Sequence, residues 1–208
     1  MVADTPLSSE ITADGDLVRR VQNGDNEAFD MLFERHYSHV FNFVVRLAGN
    51  RDDAADISQL AFVRAFGSIN RLRDGQAFLR WVYRTALNIV RDRDRQLRRR
   101  PWVSLLDLWR PTDQGENAEP VEFADPALNP ETLTVNLERD HAVKQAIAVL
   151  PLEFREVVVL HHLQGLDIRE IADVIGVPEG TVKSRLGRAR QRLRLALHDW
   201  VETNGDGK

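Results

Sequence analysis

Along most of the chain, apolar residues recur every three to four positions, the spacing that lines one face of an α-helix. Leu17, Val18 and Val21 make a short first piece that breaks at Gly24-Asp25. Phe29, Leu32, Phe33, His36, Val40, Val44 and Leu47 form a longer stripe, which Gly49-Asn50 ends. Phe62, Ala65, Phe66 and Ile69 mark a third helix after Asp52. Arg71 to Gly75 reads as a loop, and Phe78, Trp81, Val82, Thr85 and Ile89 predict a fourth helix from about Gln76 to Arg98. The pattern then stops. Pro101, Pro111, Pro120, Pro126 and Pro130 punctuate an extended linker, in which Val103, Leu105, Leu106, Leu108 and Trp109 make one brief apolar turn.

Four short helices follow. Val143, Ala146, Ile147 and Leu150 share a face; Pro151 opens a second helix, and Gly165 closes it. Asp167 with Glu170 is a capping-box start, since each carboxylate satisfies a backbone N–H that the helix end leaves unpaired. Ile168, Ile171, Ala172 and Ile175 run to Gly176, and Pro178 with Glu179 starts a last, longer helix. Val182, Leu186, Ala189, Leu193 and Leu197 are its apolar stripe. Two helices across a tight glycine turn make a helix-turn-helix. No alternating run of β-branched residues signals a strand. The fold class expected is all-α: two small helical domains at 16–100 and 135–200, joined by a flexible acidic linker at 101–134. Tails lie at 1–15 (acidic and disordered) and 201–208.

Charge sharpens that division. The 208 residues sum to only −4, which taken alone argues against a nucleic-acid partner. The blocks differ, however. Residues 1–16 hold four acids and no base; residues 17–100 hold sixteen Arg against ten acids. Residues 101–140 hold two bases against nine acids, and residues 141–200 nine bases against seven. Lys183, Arg185, Arg188, Arg190, Arg192 and Arg194 fall in one stretch without an acid. Two basic segments flank an acidic connector, so total charge says little about partners. The total acidity therefore does not argue against a nucleic-acid partner. No cysteine is present, which excludes disulfides, Cys-ligated metal and thiol catalysis. The first sixteen residues lack a signal peptide's basic and apolar stretches, and no run approaches the ~20 apolar residues that span a bilayer. A cytoplasmic protein without direct membrane insertion is expected.

In a helix-turn-helix the second helix enters the major groove, reading base edges near its start while basic residues hold phosphates. Here Lys183 and Ser184 are the expected base readers, with Thr181, Arg185, Arg188 and Arg190 beside them. On the fourth helix, Trp81 and Tyr83 interleave with Arg80 and Arg84, combining stacking surface with phosphate-binding charge. Asn88 offers a bidentate amide, and Arg91 and Arg95 continue the basic face.

The string GLDIREIADVIGVPEGTVKSRLGRARQRLR, Gly165 to Arg194, resembles region four of the bacterial sigma-70 family's extracytoplasmic-function (ECF) sigma factors. LPLEFREVVVLHHLQ before it fits the same region. AFLRWVYRTALNIVRD, Ala77 to Asp92, and DAADISQLAFVRAFGSI upstream resemble region two. The resemblance covers roughly 16–100 and 135–198, in order. It implies a transcription initiation factor, not an enzyme, with no cofactor, no metal and no catalytic residue. Its partners would be core RNA polymerase (beta-prime clamp helices and beta flap), promoter DNA and an anti-sigma factor governing a stress or envelope regulon. Region four would read the minus-thirty-five element through Thr181, Lys183, Ser184, Arg185, Arg188 and Arg190. Region two would open the minus-ten element through Arg80, Trp81, Tyr83, Arg84, Asn88, Arg91 and Arg95. Asn88 and the loop at about Gly67 to Gly75 would hold a base flipped from the non-template strand. Asp53, Asp56 and Gln59 would dock on polymerase, and the linker would thread the RNA-exit channel. With polymerase, the protein would be associated with the nucleoid. Gly187 departs from the pattern, standing where the family often carries a bulky residue.

Two other readings exist. Asp52, Asp53 and Asp56 match the DDxxD arrangement by which some enzymes hold magnesium and diphosphate, but no second acidic cluster pairs with it. A stand-alone helix-turn-helix regulator would footprint duplex DNA without polymerase. His36 with His39, and His161 with His162, read as core or surface histidines rather than metal ligands.

Overall fold

The computed structural model describes residues 13–99 and 142–205, with side chains through His198. The expected linker, its apolar turn and most of the amino-terminal tail lie outside the described residues. Helices and turns account for the described chain, and no strand occurs in it.

Helix α1 spans Asp14–Gln22, α2 Asn26–Ala48 and α3 Arg51–Ser68. Asp25 caps α2 by accepting from the Ala28 N–H, and Gly49 ends it in the left-handed conformation at φ 84°. Asn50 caps α3 by accepting from the Asp53 N–H at 2.8 Å. Two single 3₁₀ turns, Ile69–Arg71 and Gly75–Ala77, bracket the expected loop and lead into α4, Phe78–Arg99. The expected tail boundary at residue 15 is corrected. Asp14 and Asp16 belong to the first turn of α1, where acids suit the positive helix end. Asp14 also pairs with Arg35 at 2.6 Å and His36 at 2.7 Å, and these bonds hold α1 to α2.

The second unit comprises α5 (142–148), α6 (Leu152–Val158, extended by a π-turn at Val159–Leu163), α7 (Ile168–Ile175) and α8 (Glu179–Gly205). The Pro151 carbonyl starts α6 by accepting from the Phe154 and Arg155 N–H groups. Both halves of the Asp167–Glu170 capping box form, and Gly176 takes the left-handed turn at φ 73°.

The two units share one core. Leu17, Leu32, Phe43, Ile57, Phe62, Phe78 and Leu87 of the first are continuous with Leu160, Ile171, Val182 and Leu186 of the second. The contact runs where α4 meets α7 and where α2 meets α6 and the π-turn. Arg155 fastens one end of it. Its guanidinium donates to the Leu47 carbonyl at the end of α2, and to the Leu150 and Ala148 carbonyls ahead of α6.

Candidate nucleic-acid interface

Burial of Val182, Leu186 and Ala189 against Ile171 and Val174 orients α8. With that stripe facing inward, Lys183, Ser184, Gly187, Arg188 and Arg190 stand exposed, and Thr181 is half-buried. Ser184 donates to the Thr181 carbonyl at 2.9 Å, closing the first turn. Arg185 leans toward Glu153 at 3.5 Å, and Arg192 lies over the Phe154 ring. Among the described residues, no carboxylate pairs with Lys183, Arg188, Arg190, Arg192 or Arg194. This helix presents bare positive charge.

The residues of α4 have a different setting. Arg91 makes a bidentate pair with Glu156 of α6, Nε to Oε1 at 2.8 Å and Nη2 to Oε2 at 2.5 Å. Its Nη1 also donates to the Ile175 carbonyl at 3.2 Å. Glu156 is 2% exposed, and this guanidinium offsets the cost of burying its carboxylate. Arg80 donates to Glu170 at 2.7 Å, while the other oxygen of Glu170 accepts from the Asp167 N–H in the capping box. Arg95 pairs with Asp92 and Arg98 with Asp94 within the helix. Trp81 is half-buried against Phe78, and Asn88 and Arg84 are exposed. Arg84 lines a cleft of about 540 Å³ with Arg169, Asp173 and Glu179 of the second unit.

Tyr83 departs from the expectation of an aromatic free to stack on DNA. It is 1% exposed, its ring lies 4.8 Å from Phe43, and its hydroxyl donates to Gln164 Oε1 at 2.5 Å. Burial pushes the phenol above its ordinary pKa. The reason is a second apolar stripe, Tyr83, Ala86, Leu87 and Val90, at spacings of three, four and seven. A helix apolar on two sides is covered on two sides.

On α3, Asp56, Gln59, Leu60 and Val63 share an outward face at three-, four- and seven-residue steps. Val63 is 66% exposed, and Phe66 and Met31 are exposed as well. Asp53 instead turns inward: it pairs with Arg93 of α4 and accepts from the Asn50 side-chain amide at 2.9 Å. That engagement also separates it from the other acids of the DDxxD string. Among the described residues, no three His, Asp or Glu side chains converge as metal ligands. No helix there is long and apolar enough to cross a membrane.

Sequence reasoning missed Glu156, Gln164 and Gln22. The signal for Glu156 was present: an acid inside the apolar run Phe154 to Leu160 must find a buried cation. Gln164 and Gln22 are ordinary polar residues at helix ends and carry no comparable mark.

A helix-turn-helix with a bare basic helix, coupled to a second bundle bearing an arginine helix and an acid–apolar face, defines a two-module DNA-binding protein. Sigma-70 region 2 matches residues 32–100, and Sigma-70, region 4 matches residues 140–193. The ECF RNA polymerase sigma factor SigW of Bacillus subtilis (strain 168) is 33% identical over 182 residues, covering 88% of this chain and 95% of its own. The ECF RNA polymerase sigma-E factor of Escherichia coli (strain K12) is 35% identical over 185 residues, covering 89% and 94%. The fold matches CnrH, solved in complex with the cytosolic domain of CnrY, at TM-score 0.63 and 24% identity over 90% of this chain and 99% of that one. It also matches the sigma factor RpoE of Bartonella quintana, solved with the anti-sigma factor NepR, at TM-score 0.60 and 21% identity over 82% and 96%. The chain belongs to the sigma-70 family of RNA polymerase sigma factors, in its ECF group. It is a transcription initiation factor that acts with core RNA polymerase on promoter DNA.

Proposed function

We propose the following division of labour. The module at 16–100 binds polymerase and opens the minus-ten element; the module at 135–200 reads the minus-thirty-five element. Thr181, Lys183, Ser184, Arg185, Arg188 and Arg190 contact the duplex. Arg80, Trp81, Arg84, Asn88, Arg91 and Arg95 engage the opened strand, with the loop at Gly67 to Gly75 holding an unstacked base. Tyr83 supports α4 from inside in the packed arrangement. Asp56 and Gln59, flanked by Leu60 and Val63, dock on the clamp helices, because an acidic rim around apolar surface suits a basic coiled-coil partner. Asp53 contributes by fixing the start of α3.

The packed arrangement is a closed state. Arg80 and Arg91, two of the expected melting residues, are occupied by Glu170 and Glu156 of the other module, and carboxylates stand where DNA phosphates would. Promoter engagement requires these pairs to exchange, and polymerase drives that exchange by separating the modules. An anti-sigma factor acts in the opposite sense. Support for this partner comes from RpoE, a protein of the same fold solved with the anti-sigma factor NepR. The regulon is one of stress or envelope genes, and the protein works in the cytoplasm, at the nucleoid when bound to polymerase.

The observation that carries the reading is the bare basic face of α8 on a chain whose α3 displays an acid–apolar docking face. Purified protein added to core polymerase and genomic fragments, followed by sequencing of transcript starts, is expected to reveal new specific starts; none would overturn it. Asp56→Lys is expected to abolish polymerase binding. Lys183→Ala should weaken promoter choice by about 10-fold while leaving polymerase binding intact. The reverse pattern refutes the division of labour.

A further inference from the structure

The last side chain of α1 reaches across to the loop ahead of α4. Gln22 Nε2 donates to the Ile69 carbonyl at 3.0 Å and to the Leu72 carbonyl at 2.9 Å. These carbonyls bracket the 3₁₀ turn Ile69–Arg71, and the Leu72 N–H donates back to Ile69 at 3.0 Å. One amide group therefore ties both ends of the turn to α1, while Asn70, Arg71 and Arg73 point to solvent.

The next turn rests on the same helix. A Cβ built on Gly75 falls 2.6 Å from Gly15 Cα and 3.2 Å from Val18 Cβ, so the two backbones touch and only glycine fits. The far end of α1 is anchored too. Asp14 holds Arg35 and His36 of α2, and His36 is buried beside Phe78, the first residue of α4. Burial holds the imidazole below its ordinary pKa, outweighing the attraction of Asp14. Helix α1 thus spans from a fixed point on α2 to the backbone of both turns.

We propose that Gln22 is a positioning residue for strand opening, holding the Ile69–Leu72 turn in the shape that receives an unstacked base. Helix α1 belongs to the melting apparatus without touching DNA. A pocket for an unstacked base must offset the stacking that the base gives up. It does so best when its backbone is fixed before the base arrives. Gln22 supplies that fixation from a separate element. The inference rests on the reading of this loop as the base-holding site.

The test uses the full chain in holoenzyme and fork-junction DNA carrying each of the four bases at the captured position of a mapped promoter. Wild type is expected to prefer its best base over its worst by about tenfold. Gln22→Met keeps the length of the side chain and removes both donors. It should reduce that preference to about twofold and slow duplex opening about tenfold, with affinity for core polymerase and for a minus-thirty-five duplex within about twofold of wild type. Gln22→Leu, which also removes both donors with a shorter apolar side chain, should act in the same direction and carries the test if Gln22→Met fails to fold. Unchanged base preference in both variants, with wild type discriminating, overturns the role of Gln22 and leaves the loop reading standing. Absence of discrimination in wild type overturns the loop reading itself. Loss of base preference together with polymerase affinity makes Gln22 a general structural residue and also overturns the proposal.

Discussion

Helices α4 and α8 are the two arginine-rich helices of this chain, and their charges are treated in opposite ways. On α4, Arg80, Arg91, Arg93, Arg95 and Arg98 each have a carboxylate partner, drawn from α7, α6, α3 and α4 itself. On α8, among the described residues, only Arg185 approaches one, at 3.5 Å. The reason lies in the substrate each helix is proposed to meet. Duplex DNA is present before initiation, so a duplex reader gains from permanent exposure and electrostatic steering. Single strands exist only after opening, so a melting helix whose arginines, Arg84 apart, are mostly paired in the closed protein avoids nonspecific attachment. Density of arginine in a sequence measures the charge a helix carries, and the fold decides when that charge is available.

Reversing charge on the two helices separates these cases most sharply. Arg188→Glu with Arg190→Glu is expected to weaken binding of the free protein to promoter duplex on the order of 100-fold. It should also flatten the log–log salt dependence by roughly two. The matched pair on α4, Arg95→Glu with Arg98→Glu, should cost less than about fivefold in the same assay, since those charges are already answered by Asp92 and Asp94. Equal losses from both pairs, measured by fluorescence anisotropy across salt, would dissolve the contrast.

Glu156→Gln probes the masking itself. The variant keeps one acceptor for Arg91 but removes the charge, weakening the closed arrangement by about 2 kcal/mol, or roughly 30-fold in the open–closed equilibrium. The open form should appear as a larger radius of gyration in small-angle scattering and about tenfold tighter binding of single-stranded non-template DNA. If the variant is as compact as wild type and binds single strands no better, the Arg91–Glu156 pair does not hold the modules together.

The helices themselves, and which residues face outward on α8, were legible because they rest on local rules. The Asp167–Glu170 box, the Gly49 and Gly176 stops and the stripe from Val182 through Leu193 each act within a few residues. Docking of the two units was not legible. It rests on Arg91 meeting Glu156, Arg80 meeting Glu170 and Tyr83 meeting Gln164, residues 65, 90 and 81 positions apart, and no periodicity encodes such a pairing. Tyr83 shows the cost of stopping at one stripe. The face through Phe78 and Val82 predicts the helix, but the stripe that Tyr83 shares with Leu87 and Val90 also needs cover, and Tyr83 is buried with it. Asp53 illustrates the same limit, because its partner Arg93 arrives from α4.

The smallest effect tests whether the open face of α8 is shaped as well as charged. Among the described residues, a Cβ at Gly187 meets nothing within 4 Å, so no contact there requires glycine. Gly187→Ala should therefore stabilise α8 by about 1 kcal/mol through helix propensity, raising the melting temperature by a few degrees. A helix that gives up this stability on the side proposed to face duplex DNA gains room for close approach of a partner backbone. The expected signature is a split: higher thermal stability with promoter affinity reduced about threefold and polymerase affinity unchanged. Stability and promoter affinity rising together would mean that charge alone distinguishes α8 from α4, and that Gly187 contributes nothing to the fit.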